Sequence, residues 1–199
     1  MKLAKIFFVF LMFFLTAGAT FGENKEKHSF SYTITQNGKI INEKDNTYTL
    51  DRDAFEINIK LKMGTGIYIN FSEYKTMYDR AKTDFDFAKL LSINGAWMGG
   101  AEYNNNTEKN AWIQKNENRW QYWFIDENAC RFNSVEKDGD LYIGKRTIEN
   151  FEDMITGRKF KVKDSTINKL YVTITDVTAD SSYTIFEEHK TESFILEFK

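Results

Sequence analysis

The run Phe55-Glu56-Ile57-Asn58-Ile59-Lys60-Leu61-Lys62 decides the fold class of this chain. Apolar and polar residues alternate in it without interruption. Successive side chains of an extended strand point to opposite faces of a sheet, so the alternation separates an apolar face from a polar one. We therefore predict a strand over residues 55–62 that buries one face and exposes the other.

Similar runs, rich in aromatic and β-branched residues, recur at short spacing along the chain, and both residue classes favour strands. These runs lie at 30–35, 40–41, 67–71, 97–103, 111–114, 119–125, 141–143, 157–162, 170–177, 183–186 and 194–198. Roughly ten to twelve short strands favour a mainly β fold, either an antiparallel β-sandwich or a barrel-like domain.

Turns in this chain depend on Gly, Asn and Asp, because the 199 residues include no proline. Asn37-Gly38 predicts a tight hairpin turn, since both residues tolerate a positive φ. Asp138-Gly139 predicts another hairpin turn by the same reasoning. Gly64-Thr65-Gly66 is predicted to join 55–61 to 67–71 as a further hairpin.

One stretch departs from the alternation, and we interpret it as a helical insertion at about residues 73–91. Its apolar residues recur at spacings of three and four, which is typical of one face of a helix. Ser72 is placed to cap the start of this helix. A stripe of Tyr, Met and Phe side chains is expected to pack against a sheet. Residues 147–154 predict a further helical turn.

Residues 1–19 have the three-part layout of a secretory signal peptide. Lys2 and Lys5 form a basic lead, 6–15 is an apolar run, and Ala17-Gly18-Ala19 fits a signal peptidase site. An uncleaved N-terminal anchor is the alternative, although a bilayer span needs about 20 apolar residues. We expect a signal peptide at 1–19 and a single β-rich domain at 20–199. The domain would be exported, periplasmic or extracellular, with no stable membrane span after cleavage.

Composition argues against several function classes. The formal net charge of −2 lacks the basic excess of nucleic-acid-binding proteins. One cysteine, Cys130, cannot form an internal disulfide. The two histidines, His28 and His189, provide no zinc-ligand spacing and no sign of a catalytic triad. His189 lies in the charged stretch 187–190, which predicts a turn or solvated loop. We expect no metal and no cofactor, and we favour a binding protein over an enzyme.

The segment 111–125 supplies a candidate ligand-binding face. If 115–118 closes a hairpin, Ile113 pairs with Trp120 and the two faces of the hairpin separate cleanly. One face is apolar and is predicted to be core, with Ala111, Ile113, Trp120, Tyr122 and Phe124. The other face carries two indoles beside planar polar groups, with Trp112, Gln114, Arg119, Gln121 and Trp123. Such a face suits stacking on sugar rings or the centre of a protein interface. The alternative is that this face is buried beneath the helix.

These observations favour an exported, non-catalytic domain that binds a ligand or protein partner through its aromatic face. The partner would be either a glycan, in which case the ligand is a carbohydrate, or an envelope protein. A secreted hydrolase with a paired-carboxylate mechanism is an alternative. Its candidate acids are Asp84 with Asp86, Glu102, Asp126 with Glu127, and Asp138 with Asp140. An envelope structural or inhibitor-like protein is a third hypothesis.

Overall fold

The computed structural model describes residues 28–63, 66–81, 83, 96–97, 107–114, 132–153, 156–179 and 186–199. These residues are mostly in strands that form two sheets, one of them curled, with a single short helix. The predicted mainly β fold of the sandwich or barrel-like class is confirmed. The predicted leader, the segment 98–103 and Cys130 lie outside the described residues.

The described strands follow one another along the chain in short steps. They are β1 (Ser29–Gln36), β2 (Lys39–Ile40), β3 (Thr47–Leu50), β4 (Phe55–Lys62), β5 (Gly66–Ser72), β6 (Ala96–Trp97), β7 (Asn110–Gln114), β8 (Ser134–Asp138), β9 (Leu141–Ile148), β10 (Asn150–Asp153), β11 (Lys159–Lys161), β12 (Lys169–Ala179) and β13 (Phe186–Phe198). The helix α1 (Lys75–Ala81) follows β5, and a short 3₁₀ helix (Val162–Asp164) follows β11.

The two sheets differ in strand direction. The smaller sheet has the order β2-β1-β4-β9-β8 and is antiparallel throughout. The larger sheet has the order β11-β10-β7-β5-β12-β13-β3, with β6 paired to β5. In it, β7 is parallel to both β10 and β5, and β3 is parallel to β13. The larger sheet is therefore mixed, whereas an antiparallel fold was predicted.

The core lies between the sheets and is formed by the alternating apolar residues of both. Ile57, Ile59 and Leu61 of β4 are fully buried, as are Val172 and Ile174 of β12. Each such side chain contributes about 2 kcal/mol when it leaves water. The polar residues between them on β4, such as Lys60, face outward, so the alternation at 55–62 produces the predicted strand.

The predicted hairpin of 55–61 with 67–71 is wrong. β4 pairs with β1 and β9 in the smaller sheet, whereas β5 pairs with β12 and β7 in the larger one. Both strands have a wholly apolar face, and both faces are best buried when the strands lie in opposite sheets. The chain leaves β4 through Met63, which has a positive φ of 63°.

Two predicted hairpin turns are confirmed. Asn37 and Gly38, with φ of 53° and 72°, connect β1 to β2. Gly139, with φ of 57°, lies in the turn between β8 and β9. These turns depend on residues that adopt the left-handed region at little cost, which is why the local sequence was sufficient to identify them.

The described helix is shorter than the predicted range. α1 ends at Ala81, and residues 84–91 lie outside the described residues. Ser72 Oγ accepts a hydrogen bond from the Tyr74 amide at 2.9 Å as the chain enters the helix. Tyr78 is buried against Tyr171 of β12, so α1 packs on the larger sheet. Among the described residues, no helix is long and apolar enough to cross a membrane.

Two local predictions are corrected by long-range pairing. The helical turn predicted at 147–154 is instead the end of β9 and the whole of β10, and β10 is held between β7 and β11. The turn or loop predicted around His189 is part of β13, which pairs with β12 along its length. Asp176 pairs with Lys190 and Val177 with Glu188, so His189 is the extra residue of a β-bulge.

Candidate ligand-binding site

The two faces of β7 have the orientation predicted from its sequence. Ala111 and Ile113 are fully buried in the core. Trp112 lies between them on the opposite, outer face of the larger sheet and is partly exposed. Its indole Nε1 is nevertheless buried, so the exposed part of Trp112 is the rest of its side chain.

The predicted register of the 111–125 hairpin is wrong at Ile113. This residue pairs with Asp153 of β10 on one side and with Phe71 of β5 on the other, so neither side is open to Trp120. Gln114 pairs through its backbone with Ser72. The other predicted site residues, Arg119, Gln121 and Trp123, lie outside the described residues.

A group of polar side chains surrounds Trp112 on the outer face. Glu152 of β10 is the direct cross-strand neighbour of Trp112, and Asn110 precedes Trp112 by two residues on the same face. We call this group, with Glu108 and Lys159, the Trp112 cluster. The parallel pairing of β7 with β10 brings its members together, although some forty residues separate Asn110 from Glu152.

Asn110 and Lys159 link the two carboxylates of the Trp112 cluster. The Asn110 side-chain amide donates to Glu108 Oε2 at 2.9 Å and to Glu152 Oε2 at 3.3 Å. Lys159 Nζ lies 3.5 Å from an oxygen of each carboxylate. Two acids and one ammonium leave a net negative charge at the cluster when both acids are ionised.

The electrostatics of the Trp112 cluster follow from burial. Glu152 is 5% exposed, and this burial raises the pKa of its carboxyl, although Lys159 and the Asn110 amide act to lower it. Burial acts to lower the pKa of Lys159, but the neighbouring Glu152 and Glu108 outweigh it and raise that pKa. Glu152 therefore takes up a proton more readily than an exposed glutamate does.

The smaller sheet positions the start of β7. Arg146 of β9 is buried between the sheets, and its Nη2 donates to the carbonyl of Asn110 at 2.5 Å. The Asn133 side chain donates to the carbonyl of Glu108 at 2.9 Å and accepts from the Thr147 amide at 2.6 Å. These hydrogen bonds fix the backbone that carries Glu108 and Asn110.

A cleft of about 200 Å³ adjoins the cluster. It is lined by charged and amide side chains of both signs, namely Asp53, Glu149, Asn150, Lys161 and Lys163, together with Ala54. The Asn150 amide donates to Asn110 Oδ1 at 3.2 Å and so joins the cleft to the cluster.

Sequence reasoning missed Glu108, Asn110, Glu152 and Lys159. The alternations Asn150-Phe151-Glu152 and Lys159-Phe160-Lys161 carried a weak strand signal with the charges on one face, but their pairing with β7 has no local signature. The hydrolase candidates Asp138 and Asp140 lie exposed beside a hairpin turn. Asp84, Asp86, Glu102, Asp126 and Glu127 lie outside the described residues.

In the described ranges, no group of three or more His, Cys, Asp or Glu side chains is arranged to hold a metal ion. Comparison of the chain with known protein families, with curated proteins and with solved structures finds no match.

Proposed function

We propose that this chain is an exported, non-catalytic domain that binds a carbohydrate ligand at the Trp112 cluster. The observation that supports this most directly is the partly exposed indole of Trp112 beside the hydrogen-bonded Glu152, Asn110 and Lys159. Export is inferred from the leader-like residues 1–19.

The chemistry of the cluster suits a sugar. An indole face provides apolar area for the C–H surface of a pyranose ring, and tryptophan combines a large apolar body with a polar edge. Carboxylates accept hydrogen bonds from hydroxyl groups, while an ammonium donates them. A few fixed polar groups beside an aromatic surface are the usual composition of a small-molecule site.

The proposal is tested by titrating the folded chain with soluble oligosaccharides from bacterial envelope polysaccharides while following tryptophan emission. We expect Trp112→Leu to weaken binding at least tenfold, or about 1.4 kcal/mol, because the stacking surface is lost. Tyr142→Leu is the matched control, since Tyr142 is a partly buried aromatic on the smaller sheet. Equal binding by both variants, or no response in the parent chain, would contradict the proposal.

A hydrolase that uses Glu152 and Glu108 is a second candidate, favoured by one observation. Burial raises the pKa of Glu152, as a general acid requires, and Asn110 and Lys159 hold Glu108 in the same cluster. In that case Glu152→Gln would lower glycoside turnover at least 100-fold while oligosaccharide binding persisted. If turnover is unchanged in Glu152→Gln, or absent in the parent chain, the hydrolase candidate is excluded and only the binding function remains.

A further inference from the structure

Asp176 is a fully buried acid on the inner face of the larger sheet. It shares the alternation of Leu170, Val172 and Ile174, which form part of the core, and its own exposure is 0%. Among the described residues, neither of its carboxylate oxygens has a hydrogen-bond partner. It also makes no ion pair in this part of the chain.

The groups that face Asp176 offer little compensation for a negative charge. Its cross-strand neighbour on β5 is Ile67, which does not titrate. Its neighbour on β13 is Lys190, whose ammonium instead pairs with Glu192 and lies 5.5 Å from the centre of the Phe30 ring. In the opposite sheet, Tyr32 of β1 is within the electrostatic influence of Glu192, and burial is the main cause that raises the pKa of its phenol.

The backbone at Asp176 is irregular on the partner strand. The bulge at His189 interrupts the regular pairing of β13 with β12, directly beside the pair formed by Asp176 and Lys190. A bulge leaves one residue outside the ladder and weakens the local pairing. The segment 186–190 of β13 is therefore the part of the β12–β13 pair most easily separated at this position.

We propose that Asp176 acts as a pH-dependent catch for the 186–190 end of β13. With its carboxyl group protonated, Asp176 packs in the interior and this end of β13 stays closed on β12. With the carboxylate ionised, the buried charge favours an opened state in which water reaches Asp176 and the bulged end of β13 separates.

The direction of the effect follows from linkage. Burial raises the pKa of Asp176 from 3.8 to about 6. An acid whose pKa is higher in the closed state stabilises that state at low pH, and the stabilisation is lost between pH 3.8 and about 6. Opening returns the carboxyl group to its ordinary pKa. Opening is therefore more favourable at neutral pH than at low pH.

The test is hydrogen exchange of the amides in 186–190 at pH 4.5 and pH 7.5, corrected for intrinsic rates. Protection of these amides should fall roughly 25-fold over this range in the parent chain, by linkage from the two pKa values. Asp176→Asn should abolish the fall, because the amide stays neutral. Asp138→Asn, at an exposed site in the β8–β9 hairpin, should leave the fall intact.

Two further variants separate Asp176 from other ionisable groups. His189→Asn and Glu152→Gln should both retain the fall in protection, and its loss in either would overturn the proposal. A fall in protection that persists in Asp176→Asn would also overturn the proposal. Should Asp176→Asn fail to fold, carboxyl ¹³C NMR of the parent chain decides: a pKa of Asp176 near 6 supports the catch, and one near 4 overturns it.

Discussion

Glu152 and Asp176 are both buried acids on the larger sheet, but only Glu152 has partners among the described residues. Glu152 lies on the outer face with the Asn110 amide at 3.3 Å and the Lys159 ammonium at 3.5 Å. Asp176 lies on the inner face, where its carboxylate oxygens have no hydrogen-bond partner. Burial raises the pKa of both carboxyl groups, but partners oppose that rise only at Glu152.

The difference gives the two acids distinct effects on the folded state. A buried carboxylate with donors around it keeps its place in a polar network, and removing it leaves those donors unsatisfied. A buried carboxylate without donors destabilises the folded state whenever it ionises. The environment of Glu152 therefore suits the proposed recognition at the outer face, whereas that of Asp176 suits the proposed response to pH.

The largest expected effect is an increase in stability on replacing Asp176 with valine. Asp176→Val should raise the free energy of unfolding at pH 7.5 by about 3 kcal/mol, because it removes an acid whose pKa is about 6 in the fold and 3.8 outside it. Urea denaturation at pH 7.5 and pH 3.5 measures the effect, which should shrink at the lower pH. A loss of stability at pH 7.5 would show that the Asp176 carboxylate does not destabilise the folded state.

A smaller effect of opposite sign is expected at Glu152. Glu152→Met should lower the free energy of unfolding by about 1 kcal/mol, because Asn110 and Lys159 lose one of their two carboxylate partners. The matched control is Glu149→Met, which removes the exposed ion pair with Lys109 and should change stability by less than about 0.5 kcal/mol. Urea denaturation of the three proteins at pH 7 makes the measurement. Equal losses in the two variants would show that the Trp112 cluster contributes no more than a surface ion pair.

The smallest effect concerns salt. Raising ionic strength should raise the pKa of Glu152 by a fraction of a pH unit, because salt screens the attraction of Lys159 that opposes the effect of burial. The pKa of Asp176 should not move, since burial is its cause. Carboxyl ¹³C NMR titrations at low and high salt compare the two residues directly. A salt-sensitive Asp176 would reveal a charged neighbour.

Local sequence was sufficient wherever a signal is confined to neighbouring residues. The β1–β2 and β8–β9 hairpins follow from Asn-Gly and Asp-Gly turns, and the orientation of Trp112 follows from alternation in β7. The mainly β class follows from repetition of that alternation along the chain. In each case the preference of a short segment agrees with the final fold.

Pairing between distant segments was not predictable. The parallel contacts of β7 with β10 and of β13 with β3 join strands that no turn connects, so no short motif encodes them. The Trp112 cluster depends on one of these contacts, which is why only Trp112 among its members was anticipated. Asp176 differs, because its alternation with Val172 and Ile174 is visible in the sequence and marks an acid at a core position.

The place of β13 in the larger sheet has a consequence for biosynthesis. This strand lies between β12 and β3, and Arg52, just after β3, donates to the carbonyl of Ile167 at 2.6 Å. The strand order β12-β13-β3 therefore cannot form until residues 186–198 are available to pair with both neighbours. Folding dominated by such distant contacts is slow. Slow closure of this sheet would keep the chain unfolded for longer, as the proposed export through a translocation channel requires.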